Sequence, residues 1–341
     1  MRIGIVGYQA SGKSTLFQWL TRVAPDPASI HQGQSAICHV PDDRIEALAE
    51  IYQPKKITRA GIELVDTPGL ARSHEGSAAK LVLIRESDCL VIVVAAFGGA
   101  DPRSDLESFK DDLLIADLDI IGRRLERLAE QVKKPRPNRD DLLAEQAALQ
   151  QLQDSLEQHG HIDDVKLTAD QEKQLKAFQL FSQKPRFFLI NTDDEVTDMA
   201  PLEALAPQGA PCRAVPLQLQ LELENLSDQE RREFCQEMGV QAADRAGLIR
   251  ELMDASGQML FFTAGPKEVR SWMIRKGTTA VEAAGNIHTD LAKGFIRAEV
   301  MRVEDLVRLG SERAVKAEGL MRQEPRDYII QDGDVVLIRH N

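Results

Sequence analysis

Apolar runs that alternate with helical patterns dominate the first hundred residues. Runs with strand character occupy Arg2–Val6 and residues 62–65, 90–96 and 187–190. After the first run, Leu16, Phe17 and Leu20 have the spacing of an amphipathic helix. A continuous apolar run is typical of a strand that is covered on both faces, and its alternation with helices predicts a doubly wound α/β domain with a mostly parallel sheet.

The pattern changes to a helical repeat between about residues 104 and 184. Ser104 and Glu107 have the spacing of a capping box, which predicts the start of a helix. Apolar residues then recur every three or four positions, at Leu114, Leu118, Ile121, Leu125, Leu128 and Val132. Pro135 and Pro137 end this helix, and a second apolar seam follows at Leu142, Leu149, Leu152 and Leu156. These seams predict an antiparallel coiled-coil hairpin inserted into the α/β domain.

The last part of the chain has the pattern of a small β-rich unit. Strands are predicted at residues 260–263, 272–275 and 335–338, with one main helix at 279–287 and a turn at Asp332-Gly333. We therefore predict an α/β domain at 1–103 plus 185–257, an inserted helical hairpin at 104–184 and a third domain at 258–341.

Composition and charge narrow the class of protein. Hydrophobic residues make up 43% of the 341, enough to bury real cores. The sequence has no signal-peptide pattern and no apolar run near the roughly 18 residues of a membrane span, so we expect a cytoplasmic protein without membrane contact. The four cysteines have no metal-ligand spacing and are predicted to be reduced, with Cys89 buried.

The net charge of −12 argues against loose binding to nucleic acid. This charge is unevenly distributed, because residues 258–341 carry 13 basic and 12 acidic side chains. If any part of the chain meets RNA, this part is repelled less than the rest.

The strongest chemical signal follows the first predicted strand. It consists of Gly7-Tyr8-Gln9-Ala10-Ser11-Gly12-Lys13-Ser14-Thr15. This is the Walker A spacing between a strand and a helix, in which backbone N–H groups of residues such as Ala10 and Ser11 and the helix N-terminus face phosphate oxygens. Lys13 neutralises the β- and γ-phosphates, and the Ser14 hydroxyl can ligate Mg²⁺. The segment predicts a P-loop that binds a nucleoside triphosphate.

Asp66-Thr67-Pro68-Gly69 directly follows the strand at 62–65. An acid at a strand end can hold Mg²⁺ through water, and the Gly69 N–H can contact the γ-phosphate. Loss of that phosphate would release the following loop, as in a switch protein. Leu70 stands where many GTPases carry a glutamine that orients the attacking water, and its side chain is unable to do so.

Asn191-Thr192-Asp193-Asp194 comes at the end of the strand at 187–190. GTPases place their base-reading NKxD motif there. Asn191 can bond the purine ring, and Asp194 could accept two hydrogen bonds from guanine that adenine is unable to offer. A polar turn at a strand end is the alternative interpretation.

These motifs resemble the YchF/Obg-like ATPase family of P-loop nucleoside triphosphatases. The resemblance covers almost the full length and includes residues 40–56, DTPGL, the hairpin and the NxxD position. Its most specific parts are FFTAGPKEVRSWMIRKGTTAVEAAGNIHTDLAKGFIRAEV, residues 261–300, and DYIIQDGDVV, residues 327–336. It implies a G domain, a coiled-coil hairpin and a C-terminal β-grasp (ubiquitin-like) TGS domain. It also implies hydrolysis of ATP or GTP, association with ribosomes, and a hydrophobic residue in place of the catalytic glutamine.

The chain departs from the family pattern in several places. Gln9-Ala10 replaces the usual Pro-Asn, which puts potassium activation in doubt. No threonine lies between Thr21 and Thr58, so the usual switch I ligand of Mg²⁺ is missing; Ser29 or Ser35 is a candidate substitute. The region between the P-loop and Val40 is shorter than in the family, and so is the loop after Gly69. Asp194 stands where ATP-preferring members carry glutamate, which favours guanine, whereas Thr192 in place of lysine and the lack of an SAK-like segment argue the other way.

We therefore predict Mg²⁺-dependent hydrolysis of GTP or ATP, slow without a partner, in a switch associated with the ribosome or RNA through the TGS domain and hairpin. The alternatives are a nucleotide-binding scaffold with little hydrolysis and a small-molecule P-loop kinase, which the DxxG and NxxD positions disfavour. His74, after Gly69, is the histidine best placed to position water, ahead of His31 and His39, or it is a plain loop residue. An RNA-facing patch or a mixed solvated surface would account equally for Lys267, Arg270, Arg275, Lys276, Lys293, Arg297 and Arg302.

Overall fold

The computed structural model describes residues 1–29, 32–72, 77–133, 137–162 and 164–341, with the backbone alone at 77, 78 and 169. By compactness the chain divides into two units, residues 1–36 with 64–243, and residues 37–63 with 244–341. The helices that the structure describes include none that is long and apolar enough to cross a membrane. The predicted three-part domain division remains a prediction.

Residues 1–243 alternate strands and helices, with short 3₁₀ turns at residues 27–29, 176–178 and 181–183. The elements are β1 (Arg2–Val6), α1 (Lys13–Thr21), β2 (Gln34–His39), α2 (Asp43–Tyr52), β3 (Ile57–Thr58), β4 (Gly61–Asp66), α3 (Ser77–Arg85), β5 (Cys89–Ala96), α4 (Pro102–Val132), α5 (Arg139–His159), α6 (Ala169–Leu175), β6 (Arg186–Thr192), α7 (Ala200–Glu203), β7 (Cys212–Val215), α8 (Leu217–Glu224) and α9 (Asp228–Met238).

The first sheet has six strands in the order β2-β4-β1-β5-β6-β7. The pairs β1–β5, β5–β6 and β6–β7 are parallel. Strand β5 is buried along almost its whole length because helices cover both faces of such a sheet, and Cys89 is buried as predicted. The carboxyl ends of β1, β5 and β6 therefore open at one edge, which is where ligands of doubly wound sheets bind.

The inserted hairpin is confirmed. The predicted seam residues of α4 and α5 form one apolar cluster, with Ile121, Leu128, Leu149 and Leu152 almost fully buried. The Arg124 guanidinium also pairs with the Glu145 carboxylate across the two helices at 2.7 Å. Packing between helices, which the heptad spacing favours, accounts for the apolar stripes.

The start of α4 differs from the prediction. The helix begins at Pro102, and the Asp101 carboxylate caps it by accepting bonds from the backbone N–H groups of Arg103 and Ser104 at 3.1 and 3.2 Å. Proline suits the first helical turn because its missing N–H has no helical acceptor there. The Ser104–Glu107 capping box is therefore wrong, since those residues lie inside the helix.

Residues 244–341 contain more helix than predicted. The elements are α10 (Arg245–Ala255), β8 (Gln258–Ala264), β9 (Val269–Arg275), α11 (Ala280–Ile287), α12 (Thr289–Lys293), β10 (Phe295–Arg302), α13 (Val303–Leu309), α14 (Glu312–Ala317), β11 (Arg322–Glu324) and β12 (Asp334–His340). The second sheet has the order β11-β10-β12-β8-β9-β3.

The predicted strands and main helix of this unit are confirmed. Thr279 caps α11 through a complete capping box with Glu282, and Ala280, Ala283 and Ala284 pack on the sheet. Strands β10 and β11 and helices α10, α12, α13 and α14 were not predicted. The long strand β10 pairs with both β11 and β12.

Candidate nucleotide-binding site

The turn between β1 and α1 presents a helix N-terminus with free N–H groups. Gly12 precedes Lys13, the first residue of α1, at φ +101° and has no side-chain cap bond. A Cβ at Gly12 would lie 2.2 Å from the Asn191 Nδ2 atom, so this position requires glycine. Ala10 also has a left-handed φ of +61°, which costs a non-glycine residue of order 1 kcal/mol. The N–H groups that no side chain caps can donate hydrogen bonds to an anion.

Lys13, Ser14 and Asp66 form the charged centre of this turn. The buried Lys13 ammonium donates to the Tyr8 carbonyl oxygen at 2.6 Å, and the Ser14 hydroxyl donates to Asp66 Oδ2 at 2.5 Å. Burial lowers the pKa of Lys13 to about 8, with Asp66 opposing this change and Lys80 adding to it. Burial also raises the pKa of Asp66, against the opposing effects of Ser14 and Lys13.

Asp66 has one oxygen without a partner. Its buried Oδ1 atom accepts no hydrogen bond from any residue that the structure describes. A buried carboxylate oxygen beside a serine hydroxyl fits the hard oxygen donors that Mg²⁺ prefers, with phosphate and water completing the shell. No cluster of three His, Cys, Asp or Glu suited to a metal occurs in the described part of the chain.

The segment at 66–70 lies directly against the P-loop. Backbone bonds join Gln9 N–H to the Leu70 oxygen at 3.1 Å and Leu70 N–H to the Gly7 oxygen at 3.2 Å. A Cβ on Gly69 would lie 2.8 Å from Lys13 Nζ and 2.9 Å from the backbone N and Cα of Gln9. Gly69 therefore permits the closest approach of the two segments. Leu70 is buried among apolar residues and does not line the cavity.

A cavity of about 410 Å³ lies beside these residues. Its wall includes the predicted phosphate and metal ligands Lys13, Ser14, Asp66 and Gly69. Lys80 of α3 also lines it and donates from Nζ to the Gly69 carbonyl oxygen at 2.7 Å. Residues 25–27, Ser29 and Gln34 complete one side.

Ser29, one of the two candidate substitutes for the missing threonine, lines this cavity and bonds Asp26 Oδ2 at 3.0 Å. Ser35, the other candidate, is exposed on β2 and is not part of the cavity wall.

A second cavity, of about 530 Å³, shares Ala10, Lys13 and Ser14 with the first. It is lined by the predicted base-reading residues Asn191 and Asp194, and by Gly12, Thr15, Thr192, Asp193, Phe97 and Gln218. Two adjoining cavities that share the P-loop have the layout of a phosphate subsite beside a nucleoside subsite.

The Asn191 amide is occupied by backbone. Its Nδ2 donates to the Ser11 oxygen at 3.2 Å, and its Oδ1 accepts the Leu217 N–H at 3.1 Å. The side chain thereby ties the end of β6 to the P-loop and to α8. Burial and the neighbouring Glu222 raise the pKa of Asp194, while the Leu219 N–H lowers it. Asp194 is thus the better placed of the two to contact a base.

The structure brings the predicted site residues together around these two cavities, apart from Gly7 and Ser11. Gly7 is buried against the β5 backbone, and Ser11 is almost fully buried beneath the P-loop. The lining residues that the sequence analysis did not predict are Phe97, Gln218, Lys80, Gln34 and residues 25–27. The place of Phe97 directly after β5 was an available signal, because ligand-binding residues follow strand ends. His31 and His74 lie outside the described residues, and His39 is exposed on β2.

The P-loop also contacts the base of the hairpin. The Tyr8 hydroxyl donates to Asp112 Oδ2 of α4 at 2.8 Å, and its ring meets Phe109 edge-on at 5.4 Å. Burial and Asp112 together raise the pKa of Tyr8, so the hydroxyl stays protonated. Arg72, two residues after Leu70, pairs with Asp105 of α4 at 2.5 Å.

Comparison with known families agrees with this geometry at both ends of the chain. A family model described as "50S ribosome-binding GTPase" matches residues 2–121. The model YchF-GTPase_C, described as "Protein of unknown function (DUF933)", matches residues 259–341. The first match includes the P-loop and DTPG segment, and the second includes the second sheet from β8 onwards.

Individual relatives extend the match to the whole chain. The chain is 34% identical to "Ribosome-binding ATPase YchF" of Haemophilus influenzae, covering 100% of this chain and 99% of the relative. It is 33% identical to the Bacillus subtilis protein of that name, covering 99% and 98%. It is 32% identical to "Obg-like ATPase 1" of Oryza sativa subsp. japonica, covering 100% and 92%.

Among solved structures, that of the Schizosaccharomyces pombe YchF GTPase matches with a TM-score of 0.85 at 27% identity, covering 99% of this chain and 97% of that one. The predicted fold class, a P-loop G domain with an inserted hairpin and a C-terminal domain, is confirmed. The chain belongs to the YchF family of P-loop nucleoside triphosphatases.

Proposed function

We propose that this protein binds GTP or ATP with Mg²⁺ in the two adjoining cavities and hydrolyses the γ-phosphate slowly until a partner stimulates it. The convergence of Lys13, Ser14, Asp66 and Gly69 on one cavity carries this proposal. Lys13 would neutralise phosphate charge, Ser14 and Asp66 would hold Mg²⁺, and Gly69 would sense the γ-phosphate. Bound there, Mg²⁺ would offset charge on the phosphate oxygens.

The slow intrinsic rate follows from Leu70. Its buried apolar side chain has no group that could orient water. Hydrolysis would therefore depend on charge stabilisation in the cavity and on a partner. A nucleotide-binding scaffold with little hydrolysis is the second candidate, supported by the same observation. Turnover that rises with added ribosomes would exclude the scaffold.

Ribosome association is proposed from the relatives, two of which are named ribosome-binding ATPases. The protein would then work where ribosomes are, in the cytoplasm. For RNA contact, the C-terminal part at residues 258–341, with 13 basic and 12 acidic side chains, is repelled less by phosphates than the rest of the chain is. Several of its basic side chains are already paired, as Lys276 is with Asp254 at 2.5 Å and Arg297 with Glu299 at 3.6 Å. Such pairing favours a few specific contacts over a broad basic patch.

We expect guanine nucleotides to bind more tightly than adenine nucleotides. The Asp194 carboxylate lines the nucleoside cavity and can accept from guanine N1 and N2, two charge-assisted bonds worth about 1.5–3 kcal/mol each. Calorimetric titration of nucleotide-free protein with non-hydrolysable GTP and ATP analogues measures the preference. ITP, which lacks the 2-amino group, should fall between them.

Asp194→Asn should reduce this preference, whereas Glu195→Gln, which removes the same charge at an exposed position outside the cavity wall, should retain it. Equal affinities for the two analogues in the wild-type protein would contradict guanine reading and favour an ATPase.

Removal of the Asp66 charge should weaken the effect of Mg²⁺. In the wild-type protein we expect EDTA to lower triphosphate affinity at least ~10-fold, since Mg²⁺ held by Ser14 and Asp66 would offset the charge of the phosphates. In Asp66→Asn this difference should shrink, because the carboxylate with the unpartnered Oδ1 is gone. Asp111→Asn, on the exposed side of α4, is the matched control. An unchanged Mg²⁺ effect in Asp66→Asn would remove Asp66 from the metal site.

A further inference from the structure

Lys80 lines the phosphate cavity but belongs to neither the P-loop nor the DTPG motif. Its Nζ donates to the Gly69 oxygen at 2.7 Å, next to the segment that would face the γ-phosphate. An ammonium group has three N–H donors, so two are free for another acceptor. Lys80 forms no ion pair with any carboxylate in the described part of the chain. Its side chain lines the cavity, where a ligand would meet it.

The helix that carries Lys80 is fixed in place. Ile84 of α3 is fully buried in the apolar cluster, and Leu81 packs against the same cluster. One turn beyond Lys80, Arg85 pairs with the buried Asp117 at 2.9 Å and lies over the Phe181 ring at 4.0 Å. A charged group held by such packing is preorganised and needs little rearrangement during a reaction.

Two cations and two carboxylates, Asp26 and Asp66, line the cavity, and Mg²⁺ would offset the charge of Asp66. The cations are the ammonium groups of Lys13 and Lys80. Like charges that line the same cavity repel each other. The Asp26 carboxylate on the opposite side already accepts from the Ala28 N–H and the Ser29 hydroxyl, both at 3.0 Å. A phosphate group between the lysines would relieve this repulsion.

We propose that Lys80 is a catalytic residue that contacts the γ-phosphoryl group and stabilises its charge during transfer to water. In this reaction, water forms a bond to the γ-phosphorus while the bond to the β–γ bridging oxygen breaks. The electron pair stays on that oxygen, and the products are nucleoside diphosphate, inorganic phosphate and a proton. Lys80 thus supplies in cis the cation that other NTPases receive from an arginine finger. This inference rests on the proposed hydrolysis, although its phosphate contact can be measured without turnover.

The test compares Lys80→Ala, Lys80→Gln and Lys80→Arg in the full-length protein. Calorimetry measures affinity for the diphosphate, for a non-hydrolysable triphosphate analogue, and for the diphosphate with aluminium fluoride, which mimics the transferred phosphoryl group. Turnover is measured in parallel. Val82→Ala, at an exposed position of the same helix, is the control, and circular dichroism verifies folding.

In Lys80→Ala and Lys80→Gln we expect unchanged diphosphate affinity, triphosphate affinity lowered about 10-fold, no aluminium fluoride complex, and kcat lowered about 100-fold. Lys80→Arg should restore most of each quantity because it keeps the charge. If Lys80→Gln behaves as wild type while Lys80→Ala fails, Lys80 only supports the Gly69 carbonyl and the proposal is overturned. Unchanged triphosphate affinity in all variants also overturns it. A wild-type protein that needs Lys80 for triphosphate binding but never turns over, even with ribosomes, would retain the phosphate contact and reject the proposed hydrolysis.

Discussion

Lys13→Ala is expected to abolish hydrolysis, with kcat reduced at least ~10³-fold, and to weaken triphosphate binding. The Lys13 ammonium is buried at the start of α1, and a neutral water molecule in its place would not supply the positive charge that stabilises phosphate oxygens. Burial already disfavours its charge, as the pKa of about 8 indicates, and nucleotide phosphates would compensate for this cost. Multiple-turnover phosphate release and calorimetric titration measure the two effects.

Lys173→Ala is the control for Lys13→Ala, because Lys173 is exposed on α6 and its loss changes the net charge equally. Full nucleotide affinity and hydrolysis in Lys13→Ala would show that the P-loop is not the binding site. Loss of affinity in both variants would instead indicate a general effect of charge.

The phosphate-binding half of the site could be predicted because its geometry is local. Gly12, Lys13 and Ser14 are consecutive, and a turn between a strand and a helix fixes where their N–H and side-chain groups point. Asp66 ends strand β4, and the P-loop follows strand β1. Because parallel strands of one sheet end at the same edge, the strand pattern alone places Asp66 near Ser14. The 2.5 Å bond between them agrees with that reasoning.

Other features depend on tertiary contacts that no pattern encodes. Lys80 lies 11 residues after Gly69 in a helix with no motif, and only the packing of Ile84 and Arg85 brings it to the Gly69 carbonyl. Asn191 satisfies the sequence pattern of a base reader, yet its amide bonds backbone on both sides. Strand β10 was missed because FIRAEV mixes charged and apolar residues, and Arg297 and Glu299 stand within it. Pairing with β11 and β12 determines the strand conformation of this segment more than the propensities of its residues do.

Gly69→Ala is expected to uncouple triphosphate sensing from binding. The new Cβ would lie 2.9 Å from the backbone N and Cα of Gln9, and backbone atoms have no rotamer through which to withdraw. The 66–70 segment must therefore move from the P-loop, which strains the bonds between Gln9 and Leu70 and between Leu70 and Gly7. Such overpacking costs about 1–3 kcal/mol of stability.

The displacement also moves the Gly69 N–H away from the place of the γ-phosphate. The Gly69→Ala protein should therefore bind diphosphate as wild type does but lose its preference for the triphosphate analogue. Hydrolysis should be about 100-fold slower. Gly122→Ala is the matched control, since a Cβ at this helical position meets nothing within 4 Å. It should leave activity unchanged and raise stability by up to ~1 kcal/mol, because alanine is the better helix former. Titrations with the two nucleotides, single-turnover hydrolysis and thermal unfolding separate these effects. Wild-type hydrolysis in Gly69→Ala would mean that the segment at 66–70 can retreat without cost to catalysis, and Gly69 would then have no part in sensing the γ-phosphate.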